Sequence, residues 1–168
     1  MKITLTRAEL KVAVAGFQKI VNGKSRGLPI LGGIRFESRA SSVTAQATDL
    51  DQHLIHTFAR ARAEGSGVFI VPLSTLKDLS RGRDKETVEF ACDGGKENTI
   101  RVTNQVGDQA VRHGEPGFDP EEWPSIPPAT ATLPAPEFLE TYRGMLPFAA
   151  RDATRNVLMG MRIEAGTG

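Results

Sequence analysis

Leu31-Gly32-Gly33-Ile34-Arg35-Phe36-Glu37 returns as Leu158-Met159-Gly160-Met161-Arg162-Ile163-Glu164, with four identities and apolar exchanges at Ile34/Met161 and Phe36/Ile163. The numbering advances by 158 − 31 = 127 between the copies. A repeat at domain-length period means that one structural unit recurs along the chain. The sequence ends four residues after the second copy. We therefore expect one whole unit over residues 1–118, a proline-rich linker over 119–129, and the beginning of a second, incomplete unit over 130–168.

Working outward from the first copy, residues 2–6 alternate polar and apolar and read as a strand. Thr6-Arg7-Ala8-Glu9 has the spacing in which the end side chains satisfy each other's backbone donors at a helix start. Leu10, Ala13, Val14, Phe17, Ile20 and Val21 then recur at helical steps, forming an apolar stripe that Asn22-Gly23 brings to an end. Three alternating runs follow, Ile30 to Glu37, Ser42 to Thr48 and His53 to Ala59, which predict an antiparallel meander. The same order then begins again. Val68 to Val71 is strand-like, and Leu73 to Arg81 carries Leu73, Leu76 and Leu79 at three-residue steps. A shift in numbering of 76 − 10 = 66 aligns Leu10 with Leu76, Lys11 with Lys77 and Gly16 with Gly82. Strands at Thr87–Ala91, Thr99–Thr103 and Gln109–Arg112 complete a second half. The expected unit is α+β, a strand, a helix and three strands performed twice, with two helices packed on antiparallel sheets.

Between residues 113 and 129 stand Gly114, Pro116, Gly117, Pro120, Pro124, Pro127 and Pro128, too many for a helix or strand interior. Beyond them the pattern predicts a strand over Thr130–Leu133, a helix from Glu137 to about Ala149 that Pro147 kinks or ends, and a strand over Asn156–Glu164.

Composition narrows the function classes. The 168 residues are 39% hydrophobic and 24% charged with net charge +1. That is ordinary for a globular chain, so any polyanion contact must come from local placement of Lys and Arg. Cys92 is the single cysteine, which excludes an internal disulfide and predicts a buried, inert thiol in a reducing compartment. The N-terminus has no export signal and no run reaches membrane-spanning length, which predicts a cytoplasmic protein.

These residues carry a family resemblance. The opening strand and helix, Leu28-Pro29-Ile30-Leu31-Gly32, Ala47-Thr48-Asp49-Leu50, Val71-Pro72 before the second helix, and Phe118-Asp119-Pro120 through Trp123-Pro124 together resemble the N-terminal part of the bacterial DNA polymerase III beta sliding clamp family. The resemblance implies a DNA clamp fold in a truncated chain. Full-length clamp subunits have three similar domains, each with two helices lining a central hole, and two subunits close head to tail around duplex DNA. The implied activity is mechanical: the ring tethers the replicative polymerase through sequence-independent phosphate contacts, and it is not an enzyme.

The expected DNA-facing residues are Arg7 and Lys11, with Gln18, on the first helix, and Lys77 and Arg81, four apart on one face, at the second. Lys24, Ser25 and Arg26 in the glycine-flanked loop after the first helix join them, with Ser25 at the family's basic position. The resemblance adds Ser74 at a further contact and Arg151 beside Asp152, where the family's position is polar. Arg155 and Leu158 match two positions of the pocket that accepts the clamp-binding peptide of DNA polymerase III and the clamp loader. The uncharged or acidic residues at Ser25, Ser74 and Asp152 favour the alternative, a clamp-like protein-interaction module without DNA tethering.

No catalytic constellation accompanies these features, and no cofactor or metal is expected. Asp49 and Asp51 read as turn-capping residues. His53 and His56 stand three apart in a strand and so point to opposite faces, which defeats shared ligation. His113 has no evident partner. Gly65-Ser66-Gly67 lacks the Lys-Ser/Thr of a nucleotide loop.

Overall fold

Thr6 ends the first strand and caps the first helix in one step. Its side-chain oxygen accepts from the Glu9 N–H and Glu9 reaches back to the Thr6 N–H, the reciprocal box that the spacing predicts. The two donors between them go to carbonyls far along the chain, Arg7 N–H to Glu86 at 2.8 Å and Ala8 N–H to Asp84 at 3.2 Å. The opening turn of the helix is thus fully satisfied. The structure is a computed structural model that describes residues 1–21, 27–39, 42–92, 98–106, 109–126 and 136–149. The chain divides into two compact units, Met1–Ile126 and Pro127–Gly168.

In the first unit the order is β1 (Lys2–Thr6), α1 (Arg7–Ile20), β2 (Gly33–Arg39), β3 (Ser42–Thr48), β4 (His53–Phe58), β5 (Arg62–Glu64), β6 (Gly67–Pro72), α2 (Leu73–Leu79), β7 (Thr87–Ala91), β8 (Thr99–Val106) and β9 (Gln109–Pro116). The doubled strand, helix, three-strand order is present, with the short β5 added between the halves. Two sheets form, ordered β4-β3-β2-β6 and β5-β1-β7-β8-β9. Each half lends its first strand to the other. β1 pairs with β7, Leu5 opposite Val88, and β6 pairs with β2, Phe36 opposite Phe69.

The core lies where the inner sheet faces meet the buried faces of the helices. Phe36 stacks on Phe58, Phe69 and Phe90, with ring centroids 6.0, 5.1 and 5.7 Å away. Aromatic rings from both sheets therefore meet at one residue of the repeated segment. Leu10, Ala13, Val14 and Phe17 of α1 and Leu73, Leu76 and Leu79 of α2 complete the cluster.

The proline-dense stretch is more structured than its composition predicts. β9 continues past Arg112 to Pro116, where Pro116 pairs with Thr99 and Gly114 with Arg101. An edge strand tolerates proline because its outer side needs no ladder donor. Phe118 N–H then donates to Ile70 O at 3.1 Å, and Phe118 and Trp123 pack on Ile30, Leu31 and Ile70, covering part of the outer face of the four-stranded sheet. In the second unit, α3 (Pro136–Met145) gives way to a single 3-10 turn over Leu146–Phe148, so the α-helix stops two residues before Pro147. The expected strands at 130–133 and 156–164 lie outside the described residues.

The two glycines of the opening motif have different jobs. A Cβ on Gly33 would sit 2.6 Å from Ile70 Cγ2, 2.9 Å from Phe118 Cδ2 and 3.1 Å from Ile30 O, whereas one on Gly32 would meet nothing within 4 Å. Gly33 is the one repeated, as Gly160. Gly33→Ala should cost about 1–3 kcal/mol, and Gly32→Ala should stay within about 0.5 kcal/mol of wild type, both read from urea unfolding midpoints.

On the outer face of β2, Glu37 is buried and bound by Arg35 at 2.6 Å and by Arg39. Burial opposes its ionisation, but the hydrogen bonds and charges of the two guanidinium groups outweigh it and hold the carboxyl below its ordinary value. A carboxylate with a lowered folded-state pKa stabilises fully above its unfolded value, and that contribution disappears as pH falls through the folded one. Stability should therefore decline below about pH 4.5, the ordinary value. Glu37→Gln should flatten that part of the acid limb in a melting-temperature series against pH.

Candidate nucleic-acid interface

The basic residues singled out on the two helices divide by environment. α1 and α2 pack against each other, with Lys11 and Gln18 on the exposed side of α1 and Ser74 and Lys77 on that of α2. Arg81 stands two residues beyond the α2 terminus, which comes earlier than the predicted Arg81 end. Its side chain is 81% exposed and lies 3.4 Å from Asp78 Oδ1. Lys11 Nζ bridges to the loop between α2 and β7, donating to Gly82 O at 2.9 Å and meeting Asp84 Oδ1 at 2.7 Å. Both ion pairs are exposed. Such pairs are worth about 0–1 kcal/mol, little enough for a phosphate to replace the carboxylate.

Arg7 corrects the sequence reading. The pattern groups it with Lys11 on the outward side, yet it is only 4% exposed. Its Nη1 donates to Leu79 O at 2.6 Å and to Arg81 O, its Nη2 to Gln105 O at 2.8 Å, and its Nε lies 2.9 Å from Glu86 Oε2, an ion pair without hydrogen-bond alignment. The guanidinium joins α1 to the end of α2 and to β8. The signal is present on the helical wheel, where Arg7 and Val14 fall within about 20° of each other at about 3.6 residues per turn. Lys11, four residues on, draws attention to the wrong edge of the stripe.

Gly82 fits over this charge. Its φ of +121° is a conformation that side chains avoid. A Cβ there would lie 2.8 Å from Glu86 Oε2 and 3.0 Å from Arg7 Cζ. Arg7, Asp78, Arg81, Gly82, Glu86 and Asn104 help line a cleft of about 480 Å³ at this corner. Asp84 and Glu86, which pair with Lys11 and Arg7, are illegible in the sequence because their partners lie more than seventy residues away, whereas the Asp78–Arg81 pair has an i,i+3 spacing that the sequence does show.

Lys24, Ser25, Arg26, Arg151, Arg155 and Leu158 lie outside the described residues, as does Asp152. Elsewhere, the Asp49 carboxylate accepts from the N–H groups of Asp51 and Gln52 at 3.1 and 2.7 Å, closing a turn. His53 is largely exposed, and partial desolvation followed by the nearby Arg35 charge pushes its pKa down. His56 turns inward, edge-on to Phe17 and Phe58. His113, for which the sequence shows no partner, lies 3.2 Å from Glu115. Cys92 is half-buried rather than buried, and its backbone carbonyl accepts from the N-terminal ammonium at 2.9 Å. No group of three or more His, Cys, Asp or Glu residues is placed to hold a metal, and no helix is long and apolar enough to cross a membrane, among the described residues.

With this geometry in view, similarity to known proteins is specific. The model of the DNA polymerase III beta subunit, N-terminal domain, matches residues 1–127. The beta sliding clamp of Streptomyces coelicolor is 28% identical over 165 residues, covering 98% of this chain and 42% of that protein. The beta sliding clamp of Synechocystis is 26% identical over 177 residues, covering 100% of this chain and 44% of that protein. The chain thus spans under half the length of the curated relatives it matches. The crystal structure of the DNA polymerase III subunit beta from Pseudomonas aeruginosa superposes with a TM-score of 0.75 at 18% identity, covering 94% of this chain and 42% of that one. That likeness carries the fold.

Burial and exposure separate the roles of Arg7 and Lys11 energetically. Removing one member of a buried pair leaves the other uncompensated, so Arg7→Met should cost about 3–5 kcal/mol. Lys11→Ala should cost less than about 1 kcal/mol. Urea unfolding of the two variants checks the contrast.

Proposed function

The chain belongs to the DNA polymerase III beta subunit family through its N-terminal domain, and from that membership we propose that it is part of a DNA sliding clamp. In this reading the outward sides of α1 and α2 face duplex DNA, and the work done is tethering rather than catalysis. Lys11, Lys77 and Arg81 contact phosphates, and the family resemblance adds Lys24, Ser25, Arg26, Ser74 and Arg151 to the proposed DNA-binding set. Arg7 is withdrawn from this set. The proposed partners are double-stranded DNA of any sequence and, through a clamp-binding peptide near Arg155 and Leu158, DNA polymerase III and the clamp loader. The proposed full-length assembly is a head-to-tail homodimeric ring in the cytoplasm.

The observation that carries the reading is the family match over residues 1–127, with exposed cationic side chains on the very helices that it concerns. A contact that permits sliding must be weak, electrostatic and indifferent to base identity. Exposed Lys and Arg ends meet that requirement better than a buried fork does. A second reading, a protein-interaction module without DNA tethering, is favoured by the uncharged Ser74 and by the carboxylates that already pair with Lys11 and Arg81.

Anisotropy titrations of this chain with two unrelated duplexes across a salt series separate them. The clamp reading expects equal affinity for both duplexes and a logarithmic salt slope of about −0.9 per phosphate engaged. Lys77→Ala should reduce that slope by about 1. No salt-dependent binding would favour the interaction module.

A further inference from the structure

The turn that carries Arg81 is tied to the beginning of α1 as well as to itself. Five carbonyls from the end of α2 to the start of β7 are tied there: Leu79 and Arg81 to the Arg7 guanidinium, Gly82 to Lys11 Nζ, Asp84 to Ala8 N–H and Glu86 to Arg7 N–H. Within the turn, Glu86 N–H donates to Arg83 O at 3.1 Å and Arg83 N–H to the Glu86 carboxylate at 3.3 Å. The backbone is fixed while the side chains of Arg81 and Arg83 remain exposed.

We propose that Arg7 is a positioning residue for Arg81, binding no phosphate itself and setting the direction in which the Arg81-Gly82-Arg83 turn presents the Arg81 guanidinium to a polyanionic ligand. This deepens the DNA reading and rests on it. Three facts lead there. The Arg7 side chain is buried, with Nη1 and Nη2 hydrogen-bonded to carbonyls of the protein and Nε beside Glu86, so the guanidinium is turned away from a ligand. One of those acceptors is the carbonyl of Arg81 itself. Glycine at position 82, the residue type that suits φ +121° with the Arg7 guanidinium against it, lets the turn close over the same group.

The chemistry requires arginine. A planar fork can satisfy carbonyls from Leu79, Arg81 and Gln105 and still lie beside Glu86, whereas a lysine ammonium holds its three donors on one nitrogen and cannot span them. A pre-set turn loses less freedom when it contacts a phosphate than a loose one does. Arg7 would thus raise affinity without touching the ligand.

The test compares Arg7→Lys, Arg81→Ala and their double variant in the full chain, using a fluorescein-labelled duplex over a salt series. Arg7→Lys keeps the charge, so a direct phosphate contact would survive it. Positioning predicts instead that Arg7→Lys weakens binding and lowers the salt slope by about 1, as Arg81→Ala does. The double variant should then bind no more weakly than Arg81→Ala alone. Wild-type affinity for Arg7→Lys, or additive losses in the double variant, overturns the proposal.

Amide hydrogen exchange decides the matter independently of DNA. Arg7→Lys should speed exchange at the Arg83 and Glu86 amides by about ten-fold or more, with the β2–β3 amides unchanged. Unaltered exchange at the turn overturns positioning even where binding is reduced. A wild-type chain that binds no DNA sinks the clamp reading and leaves the exchange result to decide what Arg7 does. Should Arg7→Lys fail to fold, Gly82→Ala displaces the same turn with Arg7 retained, and it must reproduce both the weakened binding and the faster exchange.

Discussion

Backbone pairing of β1 with β7 and of β6 with β2 makes one domain out of two similar halves. Each half has a helix and a three-stranded meander, and each gives its leading strand away. A meander with one apolar face cannot hide that face by itself, and its free edge is an open row of donors and acceptors. Exchange of the leading strands covers an edge of each meander and carries the helix that follows onto the shared core. Phe36 then meets Phe69 across the β2–β6 pairing and Phe90 from the other sheet.

The same exchange creates the cationic corner. Because β1 lies beside β7, the start of α1 arrives next to the loop that leads into β7, and the free N–H groups of Arg7 and Ala8 find the carbonyls of Glu86 and Asp84. A charge at that point is buried and must be neutralised and hydrogen-bonded to be tolerated. Glu86 and three carbonyls do so for Arg7. Lys11, one turn further along α1, reaches the rim of the same loop and stays exposed. Two cations four residues apart thereby acquire opposite roles, one internal and structural, the other superficial and available.

Much of the fold was legible because it is written in local chemistry. The capping pair Thr6 and Glu9, the stripe from Leu10 to Phe17, and the alternation through β2, β3 and β4 each depend on residues within a few positions of one another. Even the stop before Pro147 follows from a missing donor and a ring clash. The expected strand end at Arg112 falls short because Gly114 and Pro116 look like linker residues. Only β9's place at a sheet edge makes Pro116 acceptable in a strand. Phe118 and Trp123 likewise read as linker until Ile30, Leu31 and Ile70 are seen beneath them.

By itself the sequence determined the order of the elements of the first unit apart from the short β5, their doubling and their apolar faces. The tertiary structure decided which half each strand joins, why Gly33 rather than Gly32 is repeated, and that Arg7 is buried while Arg81 is exposed. The reason is physical. Periodicity reports which face of an element avoids water, and that is a local property. The identity of what covers the face is not. Arg7 sits at the margin of the α1 stripe, and its fate is set by Leu79, Arg81, Glu86 and Gln105, partners distant in sequence that strand exchange alone brings within reach.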